Sequence, residues 1–392
     1  MHLQFPNDFF WGTSTAAAQI ETASDHSFKG LRSRDGHIFD RTSDHEKRRA
    51  EDAQHIQRFG TIYRCSVDWA RLQTEPMGAF HHDVVEEYRD FFKQLTEGGT
   101  KIMFVLHHFA NPKWFEEKGG WLYEENIGFF SDFTKKCIHN FGKYVSYWNT
   151  FNEPNSYAFS AYMGGDFPPF RKSYFKANEV LGNLGIAHDT VYTMLKVHDA
   201  SKPIGISLFT ALFTAKNVLG WLPAKFADWW FHTKTANHFE KCDFWGLSYY
   251  ANIIMNPFPI SEIHQPGKLD EMGLRHDKMW AYEPKGLGIM LRRFSKKYQK
   301  PIIVCENGIC TDNDNERIEA IKDYLQEVHS AIKSNVHVAG YIHWSTFDNY
   351  EWHLGPSFQF GLMRVDPETK DRIDTPSARF YEQVTKQNSV DV

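Results

Sequence analysis

The chain has 392 residues, 42% of them hydrophobic and 16% aromatic, enough to bury a sizeable core. Its formal net charge of −5 speaks against a nucleic-acid or anionic-membrane binder, either of which needs a basic face. The five cysteines (Cys65, Cys137, Cys242, Cys305 and Cys310) are odd in number and scattered, which speaks against a disulfide framework or a metal site. The first residues carry no basic stretch followed by a long apolar core, so they read as lacking a signal peptide. No apolar run approaches the ~20 residues that span a bilayer. A soluble cytoplasmic protein is expected.

Strand-like runs alternate with helical patterns from end to end. Strands are predicted at 9–12, 61–66, 101–107, 145–151, 203–208, 243–249, 301–305 and 338–345. Amphipathic helical stretches fall between them, among them 83–99, 127–142, 185–199 and 317–335. The charged run "EKRRAED", Glu46 to Asp52, reads as a solvated helical face. The strand–helix units continue without a composition break, low-complexity segment or linker. That predicts one α/β domain over residues 1–392, a single (β/α)8 TIM barrel. A doubly wound sheet is the alternative, but no glycine-rich phosphate loop follows the first strand.

Two of the strands end alike. The run "YVSYWNTF" (144–151) leads into Asn152, Glu153 and Pro154. Proline cannot donate to a ladder and biases the residue before it toward extended geometry, so Glu153 sits where a strand stops. The run "PIIVC" (301–305) leads into Glu306, Asn307 and Gly308. A polar strand terminus explains either one alone. In a barrel, both glutamates point into the one face where barrel active sites lie.

Other groups fall at the same strand ends: Gln19 after the first strand, Arg64 in the second, His107 and His108 at the third. Ser248, Tyr249 and Tyr250 close the sixth, Trp344 lies in the eighth, and Glu351 and Trp352 follow it. A lone histidine or tyrosine there is more often structural, and adjacent histidines bind metal only with further ligands, none of which is evident. No cofactor or metal is expected. The joint pattern counts for more than any member. Two carboxylates, a rich hydrogen-bonding set and aromatic rings fit glycoside hydrolysis. One carboxyl group protonates the leaving oxygen; the other attacks the anomeric carbon or activates water. Retention and inversion both stay open at this point.

The chain resembles the glycoside hydrolase family 1 β-glycosidases nearly end to end. The stretches that carry the likeness are "FPNDFFWGTSTAAAQIE", "YRCSVDWARLQTEP", "FVLHHFANPKWFEEKGGW", "YWNTFNEPNSYAF", "DFWGLSYY", "VCENGI" and "GYIHWSTFDNYEW". The resemblance implies a retaining enzyme with Glu153 as acid/base and Glu306 as nucleophile. Arg64 and Tyr250 would hold Glu306 ionised, and that charge would keep Glu153 protonated for the first step. Asn152 is implied to bond the sugar 2-hydroxyl, Gln19, His108, Glu351 and Trp352 to bind other hydroxyls, and Trp344 to stack beneath the ring.

The chain departs from the family pattern in places. Ser248 stands where Asn is usual, which puts one hydrogen bond near the nucleophile in question. Thr22 replaces a usual Gly, and Gly355-Pro356 a usual Gly-Tyr. The chain is also shorter than most members, which suggests trimmed loops and a more open acceptor side.

The implied activity is hydrolysis of terminal β-D-glucosyl residues, with galactosyl or fucosyl residues also admitted. The expected partners are small-molecule β-glycosides or oligosaccharides, with no nucleic acid and no membrane. A 6-phospho-β-glycosidase is one rival; such relatives usually carry Ser where Glu351 stands and a downstream Lys-x-Tyr, absent from "SFQFGL" (357–362). A thioglucosidase would lack the acid/base, and a non-catalytic sugar-binding barrel would have lost one of the two glutamates. The preferred sugar, the aglycone and the oligomeric state are left open.

Overall fold

The computed structural model describes residues 1–256 and 266–392, and in it eight parallel strands close into a barrel. They are β1 (Phe10–Ser14), β2 (Ile62–Ser66), β3 (Lys101–His107), β4 (Val145–Asn152), β5 (Ile204–Ala215), β6 (Phe244–Met255), β7 (Ile302–Asn307) and β8 (Val338–Trp344). Closure comes from β1 pairing with β8, from Phe10 opposite Gly340 to Ser14 opposite Trp344. The principal helix after each strand is, in turn, α1 (His45–Arg58), α2 (His82–Glu97), α3 (Ile127–Phe141), α4 (Tyr174–His198), α5 (Trp221–Asp228), α6 (Lys285–Tyr298), α7 (Asp314–Lys333) and α8 (Pro376–Gln387). A short antiparallel pair, His2–Gln4 with Ser389–Asp391, joins the two ends of the chain.

The strands are almost wholly buried, as a sheet covered on both faces requires. Phe10, Ile62, Met103, Phe244, Ile303 and Ile342, from six strands, form a small apolar cluster apart from the main core. That plug fills the amino-terminal end of the barrel, and the main core lies between strands and helices. Polar side chains are left for the carboxyl-terminal end.

Three expectations are corrected. First, β5 and β6 run past 208 and 249 and pair Leu212 to Ala215 with Asn252 to Met255 above the rim. No turn residue interrupts "FTALFTA", so the ladder continues until Lys216-Asn217. Second, α4 begins at Tyr174 rather than 185. Gly182 and Gly185 look like breakers, yet Val180, Leu181 and Leu184 bury the intervening turn. Gly185 is needed for close approach: a Cβ there would sit 2.8 Å from the His238 carbonyl oxygen.

Third, "EKRRAED" is a solvated face only in part: Lys47 and Glu51 are exposed, but Arg49 and Asp52 are buried. Arg49 donates to Glu21 (3.1 Å) and Glu87 (2.6 Å). Asp52 meets His45 at 2.7 Å and accepts from Arg372 at 2.7 and 2.6 Å. Arg372 lies 320 positions away, so the pattern looks solvated when read locally.

Candidate active site

β4 stops at Asn152, and Glu153 then turns left-handed (φ 41°, ψ 60°) instead of staying extended. Pro154 opens a short helix, Pro154–Phe159, and disfavours the right-handed helical region for the residue before it. The left-handed turn costs a residue other than glycine about 1 kcal/mol. It leaves the Glu153 carboxyl in the wall of the cleft at the barrel's carboxyl-terminal end.

Glu306 is the penultimate residue of β7. Register slips flank it, between Leu247 and Ser248 and between Val304 and Asn307, and such irregularities re-aim side chains. Gly308 follows because a Cβ there would fall 2.1 Å from the Trp344 carbonyl oxygen on β8.

Glu306 is clamped. One oxygen accepts from Arg64 Nη1 at 2.5 Å and the other from the Tyr250 hydroxyl at 2.8 Å. Arg64 is fully buried and is itself fixed by Ser14 (3.1 Å), Ser207 (3.1 Å) and the Asn152 carbonyl (2.5 Å). The Asn152 amide also donates to His108 Nε2 at 3.0 Å, which places the proton of that imidazole on Nδ1. His108 stands 4.0 Å from Glu306 but forms no ion pair with it. Burial, with Arg64 beside it, holds His108 well below the usual histidine range, so it is neutral.

The two glutamates sit in opposite circumstances. Burial raises the Glu306 pKa, while the Arg64 charge and the Tyr250 hydroxyl pull it back down. Glu153 has no cation in contact with it, and the Arg64 charge is the least of the influences on it. Burial first, and then the Glu306 charge, push it up to about 8. One of its oxygens is buried without a hydrogen-bond partner. Glu306 is therefore the first of the pair to ionise.

Ser248 lies in register with Glu306, but its hydroxyl leans toward Glu153 and has no partner within hydrogen-bonding distance. The departure noted in sequence thus bears on Glu153 more than on Glu306.

Across the cleft the Gln19 amide donates to Asn349 (3.0 Å), the Tyr350 carbonyl (3.1 Å) and Glu351 (3.1 Å). Burial pushes Glu351 up to about 8, with the charges of Glu306 and Glu153 adding to it. Glu351 is thus mostly protonated at neutral pH. Trp344 and Trp352 flank His108, with ring centroids 5.8 and 5.9 Å from it.

The cleft holds about 310 Å³, within the range of small-molecule sites. His108, Asn152, Glu153, Tyr250, Glu306, Trp344, Glu351 and Trp352 all line it; Arg64 and Gln19 lie behind and hold Glu306 and Glu351. Sequence reasoning missed Ser14, Ser207 and Asn349, short polar residues whose partners are distant in the chain. It also missed an apolar wall of Phe159, Phe209, Phe231 and Ile253 on one side of the cleft. Among the described residues no cluster of histidine, cysteine or carboxylate side chains could hold a metal ion.

The sequence model of the family described as Glycosyl hydrolase family 1 matches residues 1–217 and 232–390. Beta-glucosidase A of Acetivibrio thermocellus is 27% identical over 98% of this chain and 99% of its own length. The fold is similar to a solved beta-glycosidase from Pyrococcus horikoshii, with a TM-score of 0.89, 29% identity, and coverage of 100% of this chain and 97% of that one. A beta-glucosidase from Thermotoga maritima, solved in complex with castanospermine, superposes with a TM-score of 0.87 at 25% identity, covering 99% of this chain and 100% of that one.

Proposed function

The chain belongs to glycosyl hydrolase family 1, and from that premise we propose a retaining β-glycosidase, one catalytic domain over residues 1–392, that acts on terminal β-D-glucosyl residues. The observation that carries this reading is the contrast between two buried carboxyl groups. Glu306 is held by a guanidinium and a phenol, and Glu153, with no cation of its own, is raised to about 8.

In the first step Glu306 attacks the anomeric carbon as Glu153 gives its proton to the glycosidic oxygen, and the alcohol leaves. The glycosylated Glu306 is neutral, so one of the two causes of the raised Glu153 pKa disappears. Glu153 then takes a proton from water, which attacks the anomeric carbon, breaks its bond to Glu306, releases the Glu306 carboxylate and restores the β configuration. Asn152 already accepts from Arg64 and donates to His108, and its remaining N–H is assigned to the sugar 2-hydroxyl. Gln19 and Glu351 take the hydroxyls at the far end of the sugar, and Trp344 stacks beneath the ring.

The glucosyl preference is supported by relatives named beta-glucosidase. The phosphorylated alternative needs a free cation near Glu351. Two cations line the cleft: Lys278, paired with Asp312 at 3.0 Å, and Arg34, which is exposed, so glucoside 6-phosphate belongs in the test panel below. A non-catalytic barrel does not need both glutamates. A cytoplasmic setting is supported by five cysteines that are all buried and unpaired, and no helix among the described residues is long and apolar enough to cross a membrane.

The test is the stereochemistry of the first product, followed by NMR on a nitrophenyl β-glucoside. The β-anomer is expected first, and an initial α-anomer would sink retention. A panel of glucoside, galactoside, fucoside and glucoside 6-phosphate then settles the sugar, with glucoside expected to give the highest kcat/KM.

A further inference from the structure

The family model leaves out residues 218–231, and that segment has an unusual surface. It comprises α5 and the turn before it, and a π-helical turn, Trp229–Lys234, follows α5 directly. Its inner side is packed: Ala224, Ala227, Trp230 and Phe231 are buried. Its outer side is not. Val218 is 86% exposed and Leu222 69%, and Trp221, Phe226 and Trp229 are also exposed. Leu222, Phe226 and Trp229 recur at helical spacing, so they share one face.

Phe226 meets Tyr174 at 5.9 Å, which joins this face to the start of α4, where Phe175 is 83% exposed. A face of large apolar groups in water marks a docking surface.

The surrounding charge is mostly positive. Residues 171–179 and 216–234 carry six lysines and arginines against two acids, Glu179 and Asp228. Asp228 is itself paired with Arg293 at 2.6 Å. Lys225 and Lys234 stand over the exposed Trp221 and Trp229 rings at 5.9 and 5.5 Å. Tryptophan, leucine and phenylalanine on one face with lysine beside them is the composition of a helix that lies in a lipid interface. The overall charge of −5 hides this local excess.

The inner side of the same segment points elsewhere. Phe231 lines the cleft and packs on Phe159 at 5.5 Å and Phe213 at 5.3 Å. One short element therefore carries both the exposed face and part of the apolar wall of the cleft.

We propose that this face docks on negatively charged lipid surfaces, with α5 in the headgroup layer, and that the cleft thereby receives β-glycosides whose aglycone is a hydrocarbon chain. The docking stands on the surface alone; the substrate class rests on the glycosidase reading above. The test is flotation of the full chain with vesicles of phosphatidylcholine and phosphatidylglycerol, against phosphatidylcholine alone, at low and high salt. Wild type is expected to float with the anionic vesicles and to be partly released by salt. Trp221→Ser with Leu222→Ser should weaken vesicle binding roughly tenfold or more, and Lys225→Glu should weaken it chiefly at low salt. Both variants should keep wild-type rates on a soluble nitrophenyl β-glucoside, which shows that they are folded.

Wild type that stays down with both vesicle types overturns the proposal. A concentration-dependent dimer that the double variant dissolves, without flotation, assigns the face to a second copy and overturns it equally. For the substrate class, kcat/KM on a long-chain alkyl β-glucoside embedded in the anionic vesicles should fall in the double variant. An unchanged value refutes the lipid-linked substrate. No turnover of either glucoside by wild type would sink the glycosidase reading, while flotation alone would still decide the docking.

Discussion

Replacing Glu153 by Gln separates two consequences of burying an acid without a cation. The folded carboxyl titrates near 8 against an ordinary value of 4.5. A group whose folded pKa is raised contributes fully to stability below its unfolded pKa and loses that contribution as pH climbs through the folded one. At pH 7 the loss amounts to roughly 3 kcal/mol. Glutamine stays neutral at every pH and suffers no such loss. The variant should therefore match wild type near pH 4 and gain on it steadily from pH 5 to 8, by about 3 kcal/mol at pH 7. Urea unfolding, followed by tryptophan fluorescence at several pH values, measures the gap.

Activity should move the other way and depend on the leaving group. An alkyl glucoside needs its departing oxygen protonated and should lose about 10²- to 10⁴-fold in kcat/KM. A dinitrophenyl glucoside leaves unaided and should keep most of its glycosylation rate. A stability gap that does not change with pH, or equal losses on both substrates, would refute the assignment of Glu153 as the buried protonated acid.

Glu306→Gly is expected to abolish hydrolysis with the far-UV circular dichroism unchanged. Glu153→Ala in azide should release a β-glycosyl azide, and an α-azide would contradict the double displacement. Glu351→Ser should lower kcat/KM on nitrophenyl glucoside by about two- to tenfold at neutral pH, the worth of one hydrogen bond to a neutral carboxyl, and narrow the gap to the 6-phosphate chiefly above pH 8, where Glu351 is ionised. Because Glu351 titrates near 8, wild-type discrimination against the 6-phosphate should sharpen as pH rises through that value; a wild type that prefers the phosphate would overturn the substrate assignment. Arg372→Met strands the buried Asp52 and should cost about 3–5 kcal/mol in urea unfolding; a loss below ~1 kcal/mol would show that His45 suffices as its partner.

The barrel is legible in the sequence because each strand–helix unit is local, and eight alternations leave few topologies. The positions of Glu153 and Glu306 are legible for the same reason: a β-rich run, a carboxylate and a turn residue are contiguous. What is not legible is what arrives from a distance. Ser14, Ser207 and Asn349 are ordinary short polar residues until the fold brings the first two to Arg64 and the third to Gln19. Arg49 and Asp52 of "EKRRAED" look as solvated as their neighbours until Glu21 and Arg372 close on them. Gly182 and Gly185 look like breakers ahead of a helix that tertiary packing in fact begins at Tyr174. The left-handed turn at Glu153 was not legible either, since a following proline excludes one backbone region without choosing among the rest.

β1 and β8 are partners in the closed sheet, yet they come from opposite ends of the chain. During synthesis β1 has only β2 beside it until residues 338–344 have emerged, and its other side waits as an open ladder of unpaired amides. The cleft keeps the same schedule. Trp344 belongs to β8, and the amide of Gln19 finds its acceptors only in Asn349, Tyr350 and Glu351. A nascent chain halted before the eighth strand carries Glu153 and Glu306 but neither Trp344 nor the acceptors of Gln19. In the order of biosynthesis, the step that seals the sheet is also the step that completes the pocket.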